Sequence, residues 1–191
     1  MLSTALQFLL TTVFNLLTLV FLLRFFMQYL RSPFNNPLGL MVITLTDFAV
    51  KPVRRIIPSF KKIDLSTLFL GLITQLILQF SLLLLRDFPI FVAGETAWLS
   101  FIGLSFLGIL RTALDVFFYA ILLQVILSWV NTRSPFSGVL DTLTRPILSP
   151  IRRLIPSTNG LDFSPLVALI LLQMVNISVF KTLEVQLLSL F

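Results

Sequence analysis

Two arginine pairs and two aspartates are the residues with the most chemistry to offer. One pair sits in Pro52-Val53-Arg54-Arg55-Ile56-Ile57-Pro58 and the other in Pro150-Ile151-Arg152-Arg153-Leu154-Ile155-Pro156. Asp64 follows the first pair and Asp162 the second. A guanidinium is a planar fork of donors that fits phosphate or carboxylate in a bidentate way. Arg54, Arg55, Arg152 and Arg153 are therefore candidates for contact with lipid phosphate or with a neighbouring carboxylate. The plainer alternative is that they anchor the segment, with their stems in apolar surroundings and their heads among lipid headgroups. Asp64 and Asp162 each precede an apolar run, where a carboxylate caps a helix and suits its dipole. Each is also a natural ion-pair partner for an arginine of its own segment. Capping and pairing are compatible, and neither requires catalysis.

Amides form a second set. Gln75, Gln79, Gln173 and Asn176 lie inside apolar runs, as do Gln28 and Gln124. Amides in spanning helices bond to neighbouring helices, each worth about 0.6–2 kcal/mol. Lining a narrow polar path is their other use. Arg24 lies late in its run and is read as snorkelling to the surface. Arg111 and Asp115, four apart, share a helix face and are read as a pair.

The elements that hold these residues follow from composition. The chain has 191 residues, 57% hydrophobic and 12% charged, with 20 Phe, no Cys and no His. Soluble domains carry roughly 25% charged residues, so the composition indicates an integral membrane protein. Without Cys or His, thiolate and imidazole metal sites, His-based triads and Cys nucleophiles are excluded. The remaining carboxylates, arginines and hydroxyls give no catalytic or cofactor motif, and the expectation is a protein that is not an enzyme and holds no cofactor.

Four apolar stretches, about Leu2 to Leu30, Leu65 to Leu85, Trp98 to Val130 and Leu161 to Phe180, reach the roughly 20 residues a spanning helix needs. The first lacks the basic flank and cleavage site of a signal peptide. The third is too long for one span, so its first part, Trp98 to Leu110, is read as lying in the interface. Ten of the 14 basic residues fall between spans one and two or between spans three and four. The positive-inside rule then puts both basic segments in the cytoplasm, with the termini and middle loop outside. The net charge of +6 reflects attraction to anionic headgroups rather than to nucleic acid.

The chain also repeats itself at an offset of 98 residues. Pro52–Ser59 matches Pro150–Ser157, Asp64-Leu65-Ser66 matches Asp162-Phe163-Ser164, Thr44-Leu45-Thr46 matches Thr142-Leu143-Thr144, and Gln75 matches Gln173. Towards the N-terminus the offset drifts to about 100, where Arg24 faces Gln124 and Tyr29 faces Trp129. The unit is a span, a basic segment and a span, with boundaries at 1–95 and 96–191. Two spans per unit make the copies parallel, related by a pseudo-twofold axis along the membrane normal.

Each basic segment predicts a short helix of about 13 residues, roughly 20 Å. In the second copy Ser134 caps it and Phe136, Val139, Leu140, Leu143 and Ile147 form one apolar face. In the first copy Asn36 caps it, and Leu38, Met41, Val42, Leu45 and Ala49 form that face. Pro52 and Pro150 then restart the chain as a separate turn. The fold class is all-α: four transmembrane helices in two parallel repeats, each with a short amphipathic interfacial or re-entrant helix between its spans.

A Trp-ended span (Ser128-Trp129-Val130), the Pro-x-Arg-Arg-x-x-Pro turn, and Gly160-Leu161-Asp162-Phe163-Ser164-Pro165 at a span start resemble the YggT family of small membrane proteins, over nearly the whole chain. The two-unit form is similar to the family's bacterial members. In the first copy Tyr29 stands for Trp, Thr67 for the Pro after Asp-x-Ser, and Lys61-Lys62 for Asn159-Gly160. The resemblance implies the bacterial inner membrane. It also implies either a role in osmotic-stress tolerance and ion balance or one in organising and assembling membrane proteins. Expected partners are anionic lipid headgroups and either a membrane-protein partner or a second copy.

Overall fold

In the computed structural model the described residues are 2–59, 63–86, 94–130, 134–155 and 162–189. In chain order they form α1 (Leu2–Tyr29), α2 (Pro37–Ile56), α3 (Leu65–Leu85), α4 (Glu95–Val130), α5 (Ser137–Leu154), α6 (Ser164–Val175), a π-helical turn (Asn176–Phe180) and α7 (Lys181–Leu188). Four helices are long and apolar enough to cross a membrane: α1, α3, α4, and the continuous run from α6 through α7 (Ser164–Leu188). Pro58 is among the described residues, whereas Lys61 and Lys62 lie outside. Pro156, Asn159, Gly160 and Arg133 lie outside them.

Local chemistry explains the helix ends. α1 stops where Arg31 adopts a left-handed φ of 57°, and the Ser32 amide returns to the Met27 carbonyl at 2.8 Å. α2 begins as expected, with Asn36 Oδ1 accepting from the Gly39 amide at 2.9 Å and Pro37 at the first position. In the second copy the start is displaced. Ser134, Pro135 and Phe136 form a turn in which the Ser134 carbonyl accepts from the Ser137 amide, and the helix begins at Ser137.

Three expectations are corrected. First, the prolines do not restart the chain: α2 runs through Pro52, and α5 through Pro146 and Pro150. All three rings are on the exposed side, where the carbonyls they leave unbonded face outward instead of into the core. Second, α2 is therefore 20 residues, about 30 Å. Its length would reach across a bilayer core, but with the charges Asp47, Lys51, Arg54 and Arg55 it is not among the four helices apolar enough to cross. Third, Glu95–Val130 is one unbroken helix of 36 residues, so Trp98 to Leu110 is not a separate interfacial element.

α2 and α5 sit at the same end of the bundle. There Met27 of α1, Val42 of α2, Ala120 of α4 and Val139, Leu140 and Leu143 of α5 form one buried cluster. A second cluster joins Phe21, Val50 and Leu70 across α1, α2 and α3. A third joins Ile121, Leu148 and Ala168 across α4, α5 and α6. The two repeats do not meet as a twofold pair. α3 touches α4, yet the corresponding contact of α6 with α1 is missing among the described residues.

Candidate functional site

At the α2/α5 end, both repeats close by an arginine–aspartate clasp. Arg54 pairs with the Asp64 carboxylate, and its Nη2 lies 3.5 Å from Gln28 Oε1 of α1. Arg152 Nε donates to Asp162 Oδ2 at 2.8 Å. Each clasp spans ten residues and ties the last turn of α2 or α5 to the start of the following span. Ser66 adds to the first, donating to the Ile57 carbonyl at 2.7 Å. Asp64 is fully buried and makes no capping bond from its side chain. Asp162 is one-third exposed, and its Oδ1 accepts from the Ser164 amide at 2.9 Å. Burial pushes the Asp162 carboxyl up, but bonds from Ser164 and Arg152 outweigh it and hold it below its ordinary value. Arg55 and Arg153, the second members of each pair, are exposed.

A latch higher in each repeat ties the preceding span to the same helix. Arg24 is buried and does not snorkel. It donates to Thr46 Oγ1 at 2.6 Å and to Asp47 Oδ1 at 2.8 Å. Lys51 Nζ also reaches Asp47, at 2.7 Å. The bonds from Lys51 and Arg24 hold the Asp47 carboxyl below its ordinary value against a smaller opposing effect of burial. In the second repeat Gln124 takes Arg24's place. Its Oε1 accepts from Thr144 Oγ1 at 2.7 Å and its Nε2 donates to Asp141 Oδ1 at 2.7 Å. Thr46 and Thr144 are 98 apart, so the matched threonine accepts from a guanidinium in one copy and donates to an amide oxygen in the other.

The outer faces of α2 and α5 differ in kind. α2 buries Gly39, Val42, Thr46 and Val50 and turns Leu40, Met41, Leu45 and Phe48 outward, Phe48 with 70% exposure. Of the apolar stripe expected for α2, Val42 is buried, Leu38 and Ala49 are half-buried, and Met41 and Leu45 point outward. α5 buries Val139, Leu140, Leu143, Thr144 and Leu148 and turns Asp141, Arg145, Arg152 and Arg153 outward. Those side chains, with Gln124, Thr144 and Ser149, line a recess of about 530 Å³.

The intramembrane amides separate. Gln75 is buried; its Nε2 donates to Asn15 Oδ1 at 3.0 Å and to Thr18 Oγ1 at 3.2 Å. Thr18 and Thr74 hydroxyls meet at 2.8 Å. A Cβ on Gly108 of α4 would collide with Gln75 Oε1, so that glycine makes room for the amide. Gln75 lines a cavity of about 380 Å³ shared with Asn15, Gln79, Thr112 and Asp115 and with the charged side chains of Arg86, Arg111 and Glu184. Arg111 Nη1 donates to Glu184 Oε2 at 3.3 Å, across 73 residues, instead of bonding Asp115 four residues away. Gln75 is ten residues into α3, roughly 15 Å from its start, and along α3 the cavity follows the helix from Arg86 back to Gln75. Gln173, in contrast, is exposed on α6, and Asn176 is half-buried at the start of the π-helical turn.

The parts missed by sequence reasoning are Asn15, Thr46, Asp47, Asp141 and Glu184. Asn15 had a signal, being an amide inside the first apolar run. The others had none until the helices were placed.

Four apolar spans, repeated clasps and two lateral helices at one end define a multi-pass helical membrane protein built from two copies of one two-span unit. The family model described as CCB3/YggT matches residues 3–85 and again 103–183. The chain belongs to the CCB3/YggT family. It is 37% identical over 182 residues to the protein named YggT of Escherichia coli strain K12, covering 94% of this chain and 91% of that one. A Vibrio alginolyticus protein, named for its position in a proC 3' region, is 37% identical over 174 residues, 90% of this chain and 91% of that one. A Pseudomonas aeruginosa relative is 35% identical over 186 residues, covering 95% and 91%. None of these names carries an enzymatic activity. No solved structure matches the chain.

Proposed function

We propose that this is a non-enzymatic protein of the bacterial inner membrane that organises a partner through its α2/α5 end, with that end in the cytoplasm and both termini outside. One observation carries the reading: Arg145, Arg152 and Arg153 share a recess on the outer side of α5. Guanidinium groups gathered in a recess suit an acidic group of a partner protein. Arg152 is already tied to Asp162, so Arg145 and Arg153 are the groups left to bind. The apolar outer side of α2 favours a resting place in the membrane interface, which would hold α5 at a fixed height above the headgroups. The basic segments support the cytoplasmic side. The test is cross-linking and co-purification from native membranes with Arg145→Gln and Arg153→Gln together. Loss of a captured protein, with Arg55→Gln unchanged, is the expected result. Unchanged capture by a folded double variant would overturn the reading.

A second reading, an ion pathway serving osmotic-stress response, is favoured by the polar cavity between Arg86 and Gln75. Liposomes holding the purified protein would show cation flux under a salt gradient that falls in Asp115→Asn. No flux in either protein would remove this reading and leave the first intact.

A further inference from the structure

The repeat gives each position of α3 a counterpart on α6, and the two are treated differently. Span α3 has 33% of its apolar window buried inside the molecule, whereas Ser164–Leu188 has 11%. Along the side of α3 that meets α4, Gln75 is buried and Leu76 and Gln79 are half-buried. Their counterparts at offset 98 are Gln173, Met174 and Ile177, all exposed, Met174 at 58% and Ile177 at 64%. Gln75 has Asn15, Thr18 and the space at Gly108. Gln173 presents a bare carboxamide from the middle of an apolar span, where an amide without a partner is costly. The missing contact is the one already noted, α6 with α1, the counterpart of α3 with α4.

Such an arrangement is head-to-tail: one repeat's α3 side holds the next repeat's α4 side, and the series stops after two. A heterologous contact leaves one donor face and one acceptor face unused. The unused donor face is the Gln173 side of α6. The unused acceptor face is the side of α1 that corresponds to the α3-facing side of α4. At the N-terminal offset of 100, Gly108 and Thr112 correspond to Phe8 and Thr12. Both are exposed, Phe8 at 73%, and they share a face with Thr4, also exposed. We propose that a second copy of this chain covers the Gln173 face of α6 with the Thr4–Phe8–Thr12 side of its α1, continuing between molecules the interface that joins the two repeats within one. Phe8 in place of Gly108 keeps Gln173 from nesting over the backbone as Gln75 does. The Thr12 hydroxyl is the nearest group on that face suited to its amide. This assembly stands apart from the recess on α5 and holds whether or not that recess binds a partner.

The chain has no cysteine, which makes it a clean background for the test. Two differently tagged full-length chains are co-expressed in native membranes, one carrying Gln173→Cys and the other Phe8→Cys or Thr12→Cys, and oxidised. A mixed-tag disulfide adduct several-fold above that formed when Gln173→Cys is paired with Phe48→Cys is expected. Light scattering of the unmodified protein in lipid nanodiscs then gives a multiple of 21.7 kDa. Adducts formed only between two Gln173→Cys chains, which mean a twofold α6–α6 contact, would overturn the proposal. So would a single-chain mass with no mixed adduct.

Discussion

The two repeats share a plan and differ in what they bury. In the first, the clasp carboxylate of Asp64 is fully enclosed and the latch is the Arg24 guanidinium held by Asp47 and Thr46. In the second, Asp162 is one-third exposed and the latch is the neutral Gln124. The outer side of the lateral helix inverts as well, apolar on α2 and arginine-rich on α5. The first repeat encloses Asp64 and Arg24 while leaving Lys51 and Arg55 exposed, whereas the second exposes Asp162 together with Arg145, Arg152 and Arg153. The two copies keep one geometry and differ in which of its side chains they enclose.

The clasps test this contrast most severely. Arg54→Gln leaves a fully buried carboxylate without its cation and is expected to cost about 3–5 kcal/mol. Arg152→Gln exposes a carboxylate that water already reaches and is expected to cost less than about 1 kcal/mol. Denaturant or thermal unfolding of the two variants in the same detergent measures both, and equal losses would break the comparison. The latches come next. Asp47→Ala strands the Arg24 guanidinium with Thr46 alone and should cost about 3 kcal/mol. Gln124→Leu removes two bonds near the surface and should cost about 1 kcal/mol by the same measurement.

Glycines sharpen the comparison on a smaller scale. A Cβ at Gly39 would stand 2.5 Å from the Phe34 carbonyl oxygen, a backbone atom that has no room to yield, whereas one at Gly138 meets nothing within 4 Å. Gly39→Ala is expected to destabilise by about 1–2 kcal/mol, and Gly138→Ala to stabilise by about 0.5 kcal/mol through helix propensity. The smallest effect is in acid. Asp162 is held below its ordinary value, so its clasp contributes in full above the unfolded carboxylate range, about pH 4. That contribution fades as pH falls through the lower folded value. Asp162→Asn should therefore lower stability at neutral pH and match the unmodified chain in strong acid.

How much of this was legible beforehand depended on the kind of interaction. The four spans, the doubled unit and the Asn36 cap were readable because hydropathy, repetition and capping are local. The ten-residue interval from arginine to aspartate was readable as well, though not the burial that makes Asp64 unlike Asp162. The outward turn of Met41, Leu45 and Phe48 was hidden because an apolar stripe has two destinations in a membrane protein, the core and the lipid. Arg24 was misjudged for a related reason. Its partner Asp47 lies 23 residues on, across a helix whose rotation about its own axis no periodicity specifies. Arg111 bonding to Glu184 over Asp115 is the same lesson at longer range.

The uninterrupted α4 has a mechanical consequence. Thirty-six residues make a rod of about 54 Å, against a hydrocarbon core of about 30 Å. Even inclined by about 40°, the steep end of what spanning helices adopt, the rod outreaches the core by roughly 10 Å. Arg111, near its middle, and Trp129, near its end, are set 18 residues apart on one continuous helix. A thinner or thicker bilayer is met by leaning, and leaning carries the Glu95 and Trp129 ends of the rod sideways in opposite directions while the cavity beside Arg111 stays near the pivot.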